Sequence, residues 1–199
     1  MFSGRDPSTL EHDHVPRRPE VALYCIFEIS KVLCRPGSLE EILVTTLRVL
    51  KSFVDMDNGL ISLFSEAGEV EMVLSGSSSS SDARRYFAAL PQQAISQLVD
   101  TENPLVVANV GLDSTFAWDT SHLGTGGTSY CFMGVPIKDN QRVIGTLTVD
   151  RAWLKFDEEQ SDDDLCILKM VADLIGQNVQ RRRKIEGDRA RLFEAQSRR

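Results

Sequence analysis

The chain has 199 residues, 42% of them hydrophobic and 26% charged, with a formal net charge of −7. That length suits one well-packed domain with extensions, and no stretch reaches the ~18 unbroken apolar residues of a membrane helix. The composition excludes a helical membrane protein, and the opening residues lack the apolar core of a signal peptide, so a cytoplasmic domain is expected.

The charge is uneven: residues from Arg181 onward carry eight basic and three acidic side chains, so the body before them is strongly acidic. An acidic body repels nucleic acid. Glu186, Asp188 and Glu194 interrupt the basic tail, and no helix-turn-helix pattern accompanies it, so residues 181–199 read as a charged linker helix without direct nucleic-acid binding. Four cysteines, Cys25, Cys34, Cys131 and Cys166, form no CxxC pair and read as buried free thiols, with no metal set.

Taken in chain order, residues 1–18 are a polar lead-in. A helix is expected over 20–34 from the spacing of Ala22, Cys25, Ile29 and Val32. Ser38 and Glu41 make a capping-box signature for a second helix over about 39–54. The period then changes to two, predicting a hairpin of strands 59–64 and 69–74 turning at Ala67-Gly68. "SGSSSSSDARR" reads as a solvated connector, followed by a helical stretch that Pro91 divides, with Ile95, Leu98 and Val99 facing inward. "PLVVANV" is a further strand. Residues 109–129 have no clear period and include Gly124, Gly126 and Gly127, the pattern of a long binding loop or pocket wall.

The segment "YCFMGVPIKDNQRVIGTLTVDR" predicts two more strands, each with a glycine near its centre, Gly134 and Gly145. Alternation puts Phe132, Gly134 and Pro136 on one face and Met133, Val135 and Ile137 on the other; Ile144, Thr146 and Thr148 oppose Val143, Gly145, Leu147 and Val149. A floor for a ligand is expected from Ser62, Phe64, Tyr130, Phe132, Gly134, Arg142, Thr146 and Thr148. Asp162 to Asp164 crowd the start of a long last helix, where negative charge suits the helix dipole. On that helix Leu165, Leu168, Ala172, Ile175 and Val179 are spaced 3, 4, 3 and 4, a heptad seam expected to pair two copies.

The order of elements resembles a GAF domain. "RPEVALYCIFEISKVL", "MDNGLISLF", "NPLVVANV", "FMGVPIKDNQRVIGTLTVDR" and "MVADLIGQNV" resemble the N-terminal region of the alphaproteobacterial NifA family of nitrogen-fixation activators, from about Arg18 to Arg191. The resemblance implies an α+β fold. A central antiparallel sheet of five to six strands should carry the N- and C-terminal helices on one face and loops or short helices on the other, within residues 19–180.

In function, the resemblance implies the regulatory part of a sigma-54-dependent activator, restraining or licensing an ATPase according to nitrogen status, through a PII signalling protein or, in some members, 2-oxoglutarate. No GxxxxGK[ST] phosphate loop occurs here, so the ATPase is not in this chain. No resident cofactor is expected. Family members that respond to 2-oxoglutarate resemble one another in a "GEG" turn before the third strand, where this chain has "LPQQAISQLVDTENP". A dicarboxylate also needs paired donors, and Arg84, Arg85, Arg142 and Arg151 are the arginines near the expected mouth, each of which reads as a solvated surface charge. A GAF-type methionine-sulfoxide reductase is a rival that would need Cys131 as a low-pKa thiolate; cyclic-nucleotide and bilin receptors lack their partner residues here.

Overall fold

In the computed structural model, which describes residues 18–113, 116, 130–140, 142–153 and 158–197, the capping box at Ser38 closes as the sequence predicts. Ser38 Oγ accepts from the Glu41 amide at 3.2 Å, and Glu41 Oε2 accepts from the Ser38 amide at 3.1 Å. Two of the helix's orphan amides are thereby satisfied. Helix α1 spans Arg18–Leu33 and α2 spans Leu39–Leu50, where Ile42, Leu43, Thr46, Leu47 and Leu50 form the buried stripe. Helix α2 stops short of the expected residue 54 because the amides of Ser52 and Phe53 turn to carbonyls three residues back, Val49 and Leu50.

Strands β1 (Asn58–Phe64) and β2 (Val70–Ser75) form the hairpin, with Gly68 at φ 80° in the turn. The serine run is not simply a connector: Ser79 Oγ accepts from the Asp82 amide and caps α3, Ser80–Ala89. Pro91 divides the stretch as expected, and α4 runs Gln92–Thr101. Strands β3 (Leu105–Val107), β4 (Tyr130–Asp139) and β5 (Arg142–Ala152) follow, then one 40-residue helix, α5, Glu158–Ser197. The expected loop over 109–129 lies mostly outside the described residues, as does the lead-in.

The five strands pair antiparallel in the order β2-β1-β5-β4-β3. Alternation splits their side chains between two apolar layers. Behind the sheet, Ile61, Leu63, Met133, Val135, Leu147 and Val149 pack with α1, α2 and α5. In front, Leu60, Val73 and Phe132 pack with Phe87 of α3 and Ile95 and Leu98 of α4. Ile144 departs from its expected face. A register shift at Ile137/Lys138 leaves it in the back layer beside Leu147 rather than in front with Thr146.

The expected dimer seam is corrected. Leu168, Ala172, Ile175 and Val179 are at most 1% exposed and belong to the back layer, with Leu165 half-buried at its margin. A stripe with 3–4 spacing serves a sheet as well as a partner helix, and here the chain's own sheet covers it. Gly176, two positions from Asn178, is why α5 can lie so close: a Cβ there would strike the Lys138 carbonyl of β4. The boundary expected at residue 181 also falls inside α5, and Arg182 and Arg183 hold the domain rather than solvent. Arg182 donates to Asn178 Oδ1 and to the Gly37 carbonyl at 3.0 and 2.9 Å; Arg183 donates to the Phe64 carbonyl and to Glu71.

Candidate functional site

The front of the sheet is laid out in rows by strand register. Ser62, Thr146 and Pro136 are neighbours across β1, β5 and β4; next come Leu60, Thr148 and Gly134; then Asn58, Asp150 and Phe132. The expected floor residues Ser62, Thr146, Thr148, Tyr130, Phe132 and Gly134 are therefore brought together, all buried or lined by buried neighbours. Two are not. Phe64 follows a register shift in β1 and joins neither apolar layer, and Arg142 sits at the hairpin end, donating to the Ser65 and Glu66 carbonyls of the β1–β2 turn.

The floor is largely occupied by the protein itself. A Cβ on Gly134 would lie 2.5 Å from Leu98 Cδ1, so α4 seats a leucine on the space that glycine leaves. Ser62 Oγ and Thr146 Oγ1 bond each other at 2.7 Å, each 1% exposed, and so satisfy one another. Gly145 serves a different purpose from Gly134: its missing Cβ admits the close approach of Ser62 and Leu63 in β1. One glycine makes room for a helix, the other for a strand.

The polar centre lies one row on, and the sequence reading missed it. Asp150 is 3% exposed and accepts from Tyr86 Oη at 2.5 Å and from Asn58 Nδ2 at 3.0 Å; Asn58 Nδ2 also donates to Tyr86 Oη at 3.1 Å. Burial pushes the Asp150 carboxyl up to about 6 against the opposing pull of those hydrogen bonds, and the nearby Asp57 adds to the rise. Burial, with the facing Asp150, raises the Tyr86 phenol far above its ordinary value. The three residues come from β1, α3 and β5, so no local pattern joins them; the signal available was the lone acid near the end of strand β5, whose other charged residues are Arg142 and Arg151.

The cations expected at a mouth do not converge there. Arg84 donates to the Glu71 carbonyl, Arg85 pairs weakly with Asp82 on the surface, and Arg142 holds the hairpin turn. Arg151 is a correction: instead of a surface charge it is fully buried on the back of the sheet. Its Nη1 donates to Asp164 Oδ2 at 2.8 Å and its Nη2 to Ser161 Oγ at 2.6 Å. Asp164 thus does more than complement a helix dipole. Cys131 also faces the back layer, and burial pushes its thiol up to about 11, with Arg151 beside it pulling the other way. A buried thiol held neutral is a poor nucleophile. Among the described residues no cluster of ligating side chains could hold a metal ion.

Residues 38–179 match the sequence profile of the GAF domain. The chain belongs to the GAF domain family. This GAF domain is 39% identical over 176 residues to a Nif-specific regulatory protein of Azorhizobium caulinodans, covering 88% of this chain, and 40% identical over 172 residues to one of Bradyrhizobium diazoefficiens, covering 85%. It spans 29% of the length of each of those relatives. Among solved structures, the A. aeolicus nlh2 GAF domain in an inactive state superposes with a TM-score of 0.65 at 21% identity, covering 83% of this chain and 99% of that one. Free methionine-R-sulfoxide reductase from Neisseria meningitidis superposes with a TM-score of 0.62 at 17% identity, covering 93% and 97%. At such identities the likeness is one of fold. The GAF fold, with a five-stranded antiparallel sheet, helices behind it and short helices in front, is the architecture the sequence order predicts.

Proposed function

We propose that this GAF domain is the signal-receiving part of a sigma-54-dependent activator of nitrogen-fixation genes, controlling an ATPase part through contact with a PII-family protein rather than through a bound small molecule. The observation that carries the reading is the 39–40% identity to Nif-specific regulatory proteins over 85–88% of this chain. The protein-contact form is supported by the front face: Leu98 fills the space over Gly134, Ser62 and Thr146 satisfy each other, and the buried charge nearby is Asp150. A carboxylate at the centre of the floor repels a dicarboxylate such as 2-oxoglutarate, and none of the four expected arginines is aimed there to compensate.

Control of a downstream part needs a rigid output, and α5 has the ties for one. Asn178 Nδ2 donates to the Leu33 carbonyl at 2.7 Å, Arg182 reaches the Gly37 carbonyl, and Arg183 reaches the β1–β2 hairpin. A shift of hairpin or α1 end therefore moves the helix that leaves the domain. Calorimetry tests the reading: heat is expected on adding a PII protein, dependent on ATP, and none on adding 2-oxoglutarate. Heat from 2-oxoglutarate alone would replace it with a small-molecule receptor, and heat from neither would overturn it.

A further inference from the structure

We propose that Glu71, the unpaired residue of a bulge in edge strand β2, is a relay through which helix α3 on the front of the sheet governs the hold on the exit helix α5 behind it. The ladder pairs Leu63 with Met72 and then Phe64 with Val70, so Glu71 is an extra residue with no partner across it. A bulge residue is fixed by whatever else grips it. Here two arginines from opposite layers do so. Arg84 of α3 donates to the Glu71 carbonyl at 3.0 Å, and Arg183 of α5 donates to the Glu71 carboxylate and to the Phe64 carbonyl, both at 3.1 Å. Topology explains the place: in the order β2-β1-β5-β4-β3 the sheet separates front from back except around its two edges, and β2 is one of them. At that edge a front helix and the exit helix reach the same residue.

Helix α3 is built to move as a unit. Its 10 residues are too few to stay helical without support, and Ala83 and Phe87 are the ones it buries. Exposed Ser77 and Ser78 precede its Ser79 cap, and at its other end Leu90, with an extended ψ of 156°, and Pro91 part it from α4. What clasps it to the sheet is Tyr86 Oη, which donates to Asp150 Oδ2, with Asn58 Nδ2 donating to both. A helix attached at so few points opens at lower cost than the layers beneath it. When α3 lifts, Arg84 leaves the Glu71 carbonyl, and the bulge loses the front half of its grip. The Glu71 carboxylate is then no longer fixed against Arg183, so α5 loses a tie to the hairpin beyond Asn178. Arg182, whose bonds go to Asn178 and to the Gly37 carbonyl, is untouched, so α5 is loosened on one side only.

The relay gives the signal-receiving role proposed above an input end, and it is read in the chain alone, so its failure leaves that role standing. The measurement is hydrogen exchange of the 199-residue chain, followed by mass spectrometry, in wild type and Tyr86→Phe, which keeps the ring and removes the clasp. Exchange over α3 should rise about tenfold or more, the weight of a hydrogen bond to a carboxylate. Residues 180–189 of α5 should rise about two- to fivefold, as the loss of an exposed ion pair allows, while α2 and β4 keep their wild-type rates. Glu71→Ala, which removes the carboxylate, and Arg84→Gln, which cuts the link and leaves the clasp intact, should each abolish the response of α5 to Tyr86→Phe without abolishing that of α3. Unchanged exchange over α3 in Tyr86→Phe overturns the clasp, and equal acceleration of α3, α2 and β4 overturns α3 as a separate unit. A faster α3 with an unchanged α5 overturns the relay, and an α5 that still responds in Glu71→Ala removes Glu71 from it.

Discussion

Arg151 and Asp164 meet on the back of the sheet at 2.8 Å, one fully buried and the other nearly so, and their contact fastens strand β5 to the first turns of α5. Ser161, one turn earlier on α5, takes a second donor of the same guanidinium. Removing one partner leaves a charge stranded in the core. Arg151→Met is therefore expected to cost about 3–5 kcal/mol, and Arg151→Met with Asp164→Leu to recover most of it, since an apolar pair of similar volume needs no compensation. Urea denaturation of the two single variants and the double one reads the coupling directly; additive losses would mean that the two side chains act separately.

The two close-approach glycines should differ in tolerance. At Gly134 an added Cβ meets the tip of Leu98, a flexible side chain, so Gly134→Ala should cost about 1–3 kcal/mol and be partly rescued by Leu98→Val. At Gly176 the obstacle is the Lys138 carbonyl, backbone that cannot turn aside without parting α5 from β4. Gly176→Ala should lower the melting temperature further than Gly134→Ala, and no side-chain replacement at Lys138 should rescue it. Equal losses at both sites would contradict the packing of α5 on β4.

Stability should fall as pH rises through the titration of Asp150. Burial holds its carboxyl near 6 in the folded chain, against about 3.9 unfolded, so the folded state grips the proton more tightly. The contribution is complete below about pH 4 and is lost as pH passes 6, a difference of about 3 kcal/mol from the two values. Asp164, also raised by burial, slopes the same way but is common to both proteins when wild type and Asp150→Asn are compared. Denaturation midpoints at pH 4 and pH 7 should lie closer together in Asp150→Asn; an unchanged gap would show that Asp150 does not titrate in this range.

Thiol chemistry should divide the cysteines in two. Cys34 and Cys166 are exposed, whereas Cys25 and Cys131 are fully buried, with their thiols pushed up by burial to about 12 and about 11. An aromatic disulfide reagent should label two thiols in the folded chain and four after unfolding. Rapid labelling of Cys131 in the folded chain would revive the reductase reading, because that chemistry needs an accessible thiolate.

The sequence by itself determined the order and kind of elements, since apolar period, the Ser38 capping box, the division at Pro91 and the strand alternation of residues 130–151 are local properties of neighbouring residues. Alternation also put Phe132 and Gly134 on the face opposite Met133 and Val135, as found. What covers each face was decided only by the tertiary structure. The stripe Leu168, Ala172, Ile175 and Val179 has a period that fits a partner helix or a sheet equally well, and only the position of α5 over β4 gives it to the sheet. Arg151 reads as a surface charge until Asp164 and Ser161 arrive from another element to pair with it. Asn58, Tyr86 and Asp150 meet from three segments far apart in the chain, because hydrogen bonds and buried charges are settled by distance in space, on which the local pattern is silent.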